Sequence, residues 1–112
     1  MELLTVSSTE RDGWTILALV GQLDVATAPE FRQSLQEAQY TGANRIVLDL
    51  ASLEFLDSFG LGVILGGVKR AATHDGRLVI AGASARVQQV FELTGIAEAL
   101  PLADDIDQAM SS

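Results

Sequence analysis

The sequence predicts an α/β fold carried by a single domain over residues 1–112, a mixed and mainly parallel β-sheet of four to five strands with about four helices. Three observations predict it. After an opening pair of strand-like runs, helical and strand-like segments alternate in the order ββαβαβαβα, which implies right-handed crossovers between parallel strands. The run Ile46-Val47-Leu48-Asp49-Leu50 is apolar almost throughout, the pattern of a strand covered by helices on both faces. Capping residues precede the helical runs at Thr27, Asp57–Ser58, Ser84 and Asp104–Asp107, where a side-chain oxygen can accept from amides that a helix start leaves unpaired.

Each element has its own local reason. Residues 3–9 form a weak strand candidate, and Glu10-Arg11-Asp12-Gly13 supplies turn chemistry with Gly13 free to take positive φ. Trp14 to Val20 is rich in β-favouring residues and reads as the hairpin partner, ended by Gly21-Gln22-Leu23-Asp24. Thr27-Ala28-Pro29-Glu30 combines a capping box with a first-turn proline. Phe31, Leu35 and Ala38 then make one apolar face of a helix that ends near Tyr40. Arg45 to Leu50 is the next strand, with Asp49 expected near its end. A second helix runs from the Asp57–Ser58 junction to about Ala72, and His74-Asp75-Gly76 is a turn. Arg77 to Gly82 is a strand. Ser84 starts a third helix through Leu93 that Gly95 closes. Glu98 to Ala103 reads as an edge strand, because Pro101 cannot donate to a ladder. Asp104 to Asp107 starts a short final helix.

Composition narrows the function. The chain has no cysteine, which removes disulfides and thiolate metal sites and suits a reducing cytosol. Its formal net charge of −8 argues against direct nucleic-acid binding, which needs a basic surface, and is compatible with a basic protein partner. The N-terminal residues show no targeting pattern. The longest uncharged apolar run, Phe59 to Val68, would span about 15 Å as a helix, roughly half a bilayer. No membrane partner is expected.

The chemistry concentrates at Phe55-Leu56-Asp57-Ser58-Phe59-Gly60-Leu61-Gly62, where an acid and a hydroxyl join a buried strand to an apolar helix. A serine at such a junction suggests a hydrolase nucleophile. Ser58 is not flanked as G-x-S-x-G, however, and the only histidine, His74, lies about 24 Å further along a continuous helix. Gly60-Leu61-Gly62 does not complete a dinucleotide fingerprint, since position 65 is leucine, and there is no P-loop. Two readings survive. Asp57 or Ser58 caps the helix. Ser58 is also placed to be a switch: a phosphate adds about −1.5 to −2 charge, tolerated at a helix N-terminus but able to block an interface across the loop. Along the helix, Leu61, Ile64 or Leu65, Val68 and Ala71 or Ala72 suit the sheet, while Phe59, Val63, Gly66 or Gly67 and Arg70 form a second stripe. The glycines Gly62, Gly66 and Gly67 imply close approach, either by a neighbouring element or by a partner.

At these residues the chain resembles the anti-sigma factor antagonists, whose fold is the STAS domain. Gly21-Gln22-Leu23-Asp24 is similar to the family's Gly-Glu-Leu-Asp segment. Ile46 to Leu50 followed by Leu53 to Ser58 resembles its central strand and phosphorylation loop, Gly60 to Gly66 its next helix, and Val90 to Gly95 a later helix end. The resemblance implies a cytoplasmic, non-enzymatic regulator that needs no cofactor of its own. Unphosphorylated, such a protein binds an anti-sigma factor, usually a serine protein kinase that holds the ATP, and so frees a sigma factor. Phosphorylation breaks the complex, and a phosphatase acting on the phosphoserine restores it. Carried over by position, Ser58 is the phosphoacceptor, and partner contacts are expected at Asp24, Asp57, Ser58, Phe59, Gly60, Gly62, Val63 and Gly66. Phe59 stands where many members have a second Ser or Thr, and Gln22 replaces the common glutamate. The alternative reading is a scaffold subunit of a larger signalling assembly.

Overall fold

A two-residue turn starts the sheet. β1 (Leu4–Arg11) and β2 (Trp14–Leu23) form an antiparallel hairpin in which Arg11 pairs with Trp14. Between them Asp12 and Gly13 take φ 53° and 84°, the paired left-handed conformations whose twist matches that of the flanking strands. The structure, a computed structural model, describes residues 3–111; Met1, Glu2 and Ser112 lie outside the described residues, and with them the start of the segment read for targeting signals.

Three crossovers follow. α1 (Ala28–Tyr40) leads to β3 (Arg45–Leu56), α2 (Ser58–Thr73) to β4 (Arg77–Ala81), and α3 (Ala85–Leu93) with a 3-10 turn at Ala97–Ala99 to β5 (Leu102–Ala103). The strands lie in the order β1-β2-β3-β4-β5, with only the first pair antiparallel. Right-handed crossovers that always step in the same direction put their helices on one face. α1, α2 and α3 accordingly share one core with Leu19, Leu48 and Ile80 of the sheet. Phe31, Leu35 and Ile64 are fully enclosed there, each contributing about 1.5–3 kcal/mol by burial. α4 (Ile106–Met110) covers the opposite face, where Ala109 packs with Trp14, Val47 and Val79.

The expected element order holds, with four local corrections. β3 continues past Leu50 to Leu56, so Asp49 is a mid-strand residue; its carboxylate accepts from the Ala51 amide at 3.1 Å. The extension comes from parallel pairing with β2, which also runs on to Leu23 and absorbs two register shifts on the way. Thr27 stands at the helix N-cap but forms no capping bond. Its hydroxyl instead donates to Gln22 O at 2.9 Å and accepts from Asp24 N at 2.9 Å. The final strand is only Leu102–Ala103, because Ala97–Ala99 coils tightly before Pro101. Other caps fall as expected: Ser84 Oγ accepts from Val87 N, Asp105 from Gln108 N, and Gly95 closes α3 with φ 75°. Beyond the covered patch, Arg11 of β1 pairs with Asp107 of α4.

Candidate functional site

The carboxyl end of β3 delivers Leu56 into the core and turns at Asp57, which is extended (φ −112°, ψ −176°) and caps α2. Asp57 Oδ1 accepts from Phe59 N at 2.9 Å and Gly60 N at 3.0 Å, while Leu61 N donates to Asp57 O at 3.0 Å. The second oxygen, Oδ2, accepts from Val25 N at 3.0 Å, and Asp57 N donates to Leu23 O at 3.1 Å. One carboxylate thus caps the helix and ties the β3–α2 loop to the β2–α1 loop. Of the two capping candidates, Asp57 takes the role.

The β2–α1 loop is organised from within. Asp24 Oδ1 accepts from Ala26 N at 2.9 Å and Thr27 N at 3.2 Å. Thr27, buried below, anchors the loop to Gln22 O. Asp24 and Asp57 therefore sit on adjoining loops with their carboxylates already engaged by amides, and both are half-buried.

Ser58 is different. It is the first residue of α2, it is exposed, and its hydroxyl has no hydrogen-bond partner among the described residues. Exposed apolar side chains surround the two loops: Phe59 is 59% exposed, Val25 58% and Phe55 44%. Val25 and Phe55 are absent from the sequence-based site. Phe55 pairs with Gln22 across the sheet, and Val25 enters through its bond to Asp57, 32 residues away. Sequence spacing carries no sign of that bond; the signal in Phe55 is an aromatic residue beside a polar one in a strand end.

The glycines divide by cause. A Cβ on Gly60 would stand 2.5 Å from Leu23 Cγ and 2.9 Å from Leu56 Cδ1, so this buried glycine lets the helix start lie on the sheet. Gly67 does the same against α1, with Leu35 Cδ2 at 2.5 Å. Gly66 would meet only Arg70 Nη1, at 3.3 Å, and Gly62 is exposed with nothing within 4 Å. Val63 is a correction: placed on the outward stripe by helical spacing, it is 3% exposed and belongs to the core. Gly60 likewise offers no surface. The residues brought together at the exposed loops are Asp24, Val25, Phe55, Asp57, Ser58, Phe59 and, one step along the helix, Gly62.

Ser58 has no histidine beside it. α2 is continuous from Ser58 to Thr73, and His74 lies beyond its far end with Nδ1 donating to Arg70 O at 2.8 Å. Among the described residues no group of three or more His, Cys, Asp or Glu could hold a metal ion, and no helix is long and apolar enough to cross a membrane.

Known proteins share the family pattern and the fold. The family model for the STAS domain matches residues 5–109. An anti-sigma-B factor antagonist of Staphylococcus aureus is 33% identical over 93 residues, 83% of this chain and 86% of that protein. A Thermotoga maritima structure assigned to the anti-sigma factor antagonists superposes with a TM-score of 0.88 at 28% identity, covering 95% of this chain and 92% of the other. SpoIIAA, an anti-sigma factor antagonist of Bacillus, shares the fold at 23% identity, with TM-scores of 0.79 unphosphorylated and 0.73 phosphorylated; both comparisons cover 96% of this chain, and 93% and 96% of SpoIIAA respectively.

Proposed function

The chain belongs to the STAS domain family, and from that premise we propose that it is a non-enzymatic anti-sigma factor antagonist of the cytoplasm, switched off by phosphorylation of Ser58. One observation carries the reading: an exposed serine with an unengaged hydroxyl begins α2, between two loops whose neighbouring acids are already bonded. Unphosphorylated, the apolar rim of Val25, Phe55 and Phe59 and the bare helix surface at Gly62 receive an anti-sigma factor that is a serine kinase, and so free a sigma factor. The kinase transfers the γ-phosphoryl group of its ATP to Ser58 Oγ, releasing ADP and the hydroxyl proton. A phosphatase returns the hydroxyl by hydrolysis to inorganic phosphate.

Electrostatics supports a switch that spares the fold. The added charge of about −1.5 to −2 meets the positive end of the α2 dipole, equivalent to roughly half a charge. Asp57 already caps Phe59 and Gly60 through its own oxygen, so no bond of the fold depends on the serine hydroxyl. At the interface the same charge has to be desolvated among apolar side chains, at a cost of several kcal/mol when unpaired. Names and titles of relatives support the partner class: the Staphylococcus aureus relative is an anti-sigma-B factor antagonist, and SpoIIAA has a phosphorylated form.

The test is incubation with anti-sigma kinases of the same organism and ATP, followed by mapping of the modified residue. Phosphate on Ser58, with loss of the kinase complex, is the expected result. Phosphorylation elsewhere with Ser58 untouched overturns the switch. Recovery from cells in a large multi-subunit particle without a kinase–sigma pair would favour the scaffold reading.

A further inference from the structure

β1 is an edge strand whose outer side is open, a feature independent of the Ser58 reading. The sheet order places β2 on one side of it and no strand of the described residues on the other. Gln22 N donates to Leu3 O at 2.7 Å, and the register with β2 then runs without a shift to the Arg11–Trp14 pair. Bonded and non-bonded positions alternate along an antiparallel pair. The odd residues from Leu3 to Arg11 therefore bond to β2, and the amides and carbonyls of Leu4, Val6, Ser8 and Glu10 point outward. The other edge of the sheet is blunted, because β5 has only two residues and follows Pro101. β1 has eight residues without proline or lysine, and its two charges, Glu10 and Arg11, fall at one end. Leu4 to Thr9 is thus an uncharged template for a further strand.

The side chains of the even residues lie on the helix-covered face, where Leu4 joins the core and Val6 packs against it. Beside them two adjoining recesses of about 290 and 310 Å³ run between β1 and the last turns of α1. They share Ser8, Ala38 and Thr41; Val6 and Glu37 line the first, and Glu10 the second. No Lys or Arg lines either one. Both glutamates are exposed, and neither forms a salt bridge among the described residues. α1 also ends without a basic residue in its last turn, so its carbonyl end adds about half a negative charge. An open row of backbone donors and acceptors thus borders a groove of negative potential.

We infer that the outer edge of β1 receives an extended peptide segment of a basic partner, which adds a strand to the sheet and lays Lys or Arg side chains in the recesses lined by Glu37 and Glu10. Backbone bonds to the edge supply affinity, and alternate side chains supply specificity. A second copy of this chain is disfavoured as the occupant. Pairing two β1 edges brings two acidic grooves together, in chains that each carry a net charge of −8. The groove is separate from the switch. Glu10 pairs with Thr15, and Thr15 with Ile46 at the start of β3, whereas Ser58 follows the end of that strand.

The experiment is an amide NMR titration of the whole chain with two blocked hexapeptides, acetyl-TVTKTK-amide and its acidic counterpart acetyl-TVTETE-amide. The valine and both lysines of the first share one face of a strand. Saturable shifts along β1 and at residues 34–44 are expected with the lysine peptide, at a Kd of about 1 mM or tighter, and binding of the glutamate peptide about tenfold weaker or absent. Ser8→Pro removes an outward amide that no strand of the fold uses, and is expected to weaken binding about tenfold or more with amides near Ser58 unmoved. Failure of the lysine peptide to saturate, shifts located elsewhere, equal binding of the glutamate peptide, or a folded Ser8→Pro that binds like the parent overturns the proposal. β1 amides that shift on dilution of the chain alone assign the edge to a second copy and overturn it as well. If Ser8→Pro does not fold, the two peptides compared on the unaltered chain still decide it.

Discussion

Replacing Gly62 by alanine is expected to stabilise the domain, and replacing Gly60, two residues earlier in the same helix, to destabilise it. Glycine in a helix interior costs about 0.8–1.0 kcal/mol relative to alanine. At Gly62 a new Cβ meets nothing within 4 Å, so nearly the whole difference is recovered. At Gly60 the Cβ would lie 2.5 Å from Leu23 Cγ, the branch atom of a fully buried side chain, and 2.9 Å from Leu56 Cδ1. Overpacking of that kind costs about 1–3 kcal/mol and outweighs a propensity gain already reduced in the first helical turn. With an unfolding entropy of about 2.1 cal/mol/K per residue over 112 residues, 1 kcal/mol is about 4 °C in Tm. Gly62→Ala should therefore melt about 4 °C higher and Gly60→Ala several degrees lower, by urea and thermal denaturation followed by circular dichroism. A Gly62→Ala protein no more stable than the parent, or a neutral Gly60→Ala, would refute the division between a glycine kept for packing and a glycine free of it.

Other outcomes follow from the same loops. Asp57→Ala removes the acceptor for the amides of Phe59, Gly60 and Val25; a loss of about 1–2 kcal/mol is expected, with faster hydrogen exchange at Val25 and Gly60. Thr27→Val keeps the shape but strands Gln22 O and Asp24 N beneath the β2–α1 loop; urea denaturation should show about 1–3 kcal/mol of destabilisation. Gly62→Gln, a good helix former on an exposed position, should leave Tm unchanged or raised while weakening anti-sigma binding about tenfold or more by calorimetry, as expected for a bulky group placed in a packed interface.

Much of the architecture is legible because local and global signals agree. The Asp12–Gly13 turn, the Ser84 and Asp105 caps and the near-continuous apolar run of β3 each specify their element from neighbouring residues alone. What is hidden depends on contacts distant in sequence. Ser52 and Glu54 interrupt the apolar run, so β3 reads as ending at Leu50; its last residues are strand because β2 lies alongside, with shifts in register that no single segment reveals. Thr27 carries the sequence of a capping box, yet the carbonyl of Gln22 competes for its hydroxyl and wins.

The site divides in the same way. Ser58 at a strand-to-helix junction is readable from the order of residues, and Asp57 as a cap is one of two local options that the structure decides. Val63 misleads because α2 is apolar on more than one side. It packs on the sheet and also approaches α1 through Gly67 and Leu35, so a second apolar stripe has an internal use. Gly62 alone among the three helix glycines first singled out meets no other part of the chain at its added Cβ.

The central claim is tested most directly by comparing two forms of the same chain against the anti-sigma kinase proposed as its partner: unmodified, and phosphorylated on Ser58 then separated from the kinase. Titration calorimetry of each, with circular dichroism to verify the fold, gives the ratio of affinities. Binding weakened by about a hundredfold, or roughly 2.7 kcal/mol, with an unchanged spectrum is the predicted result. Equal affinities of the two forms, both folded, would contradict it.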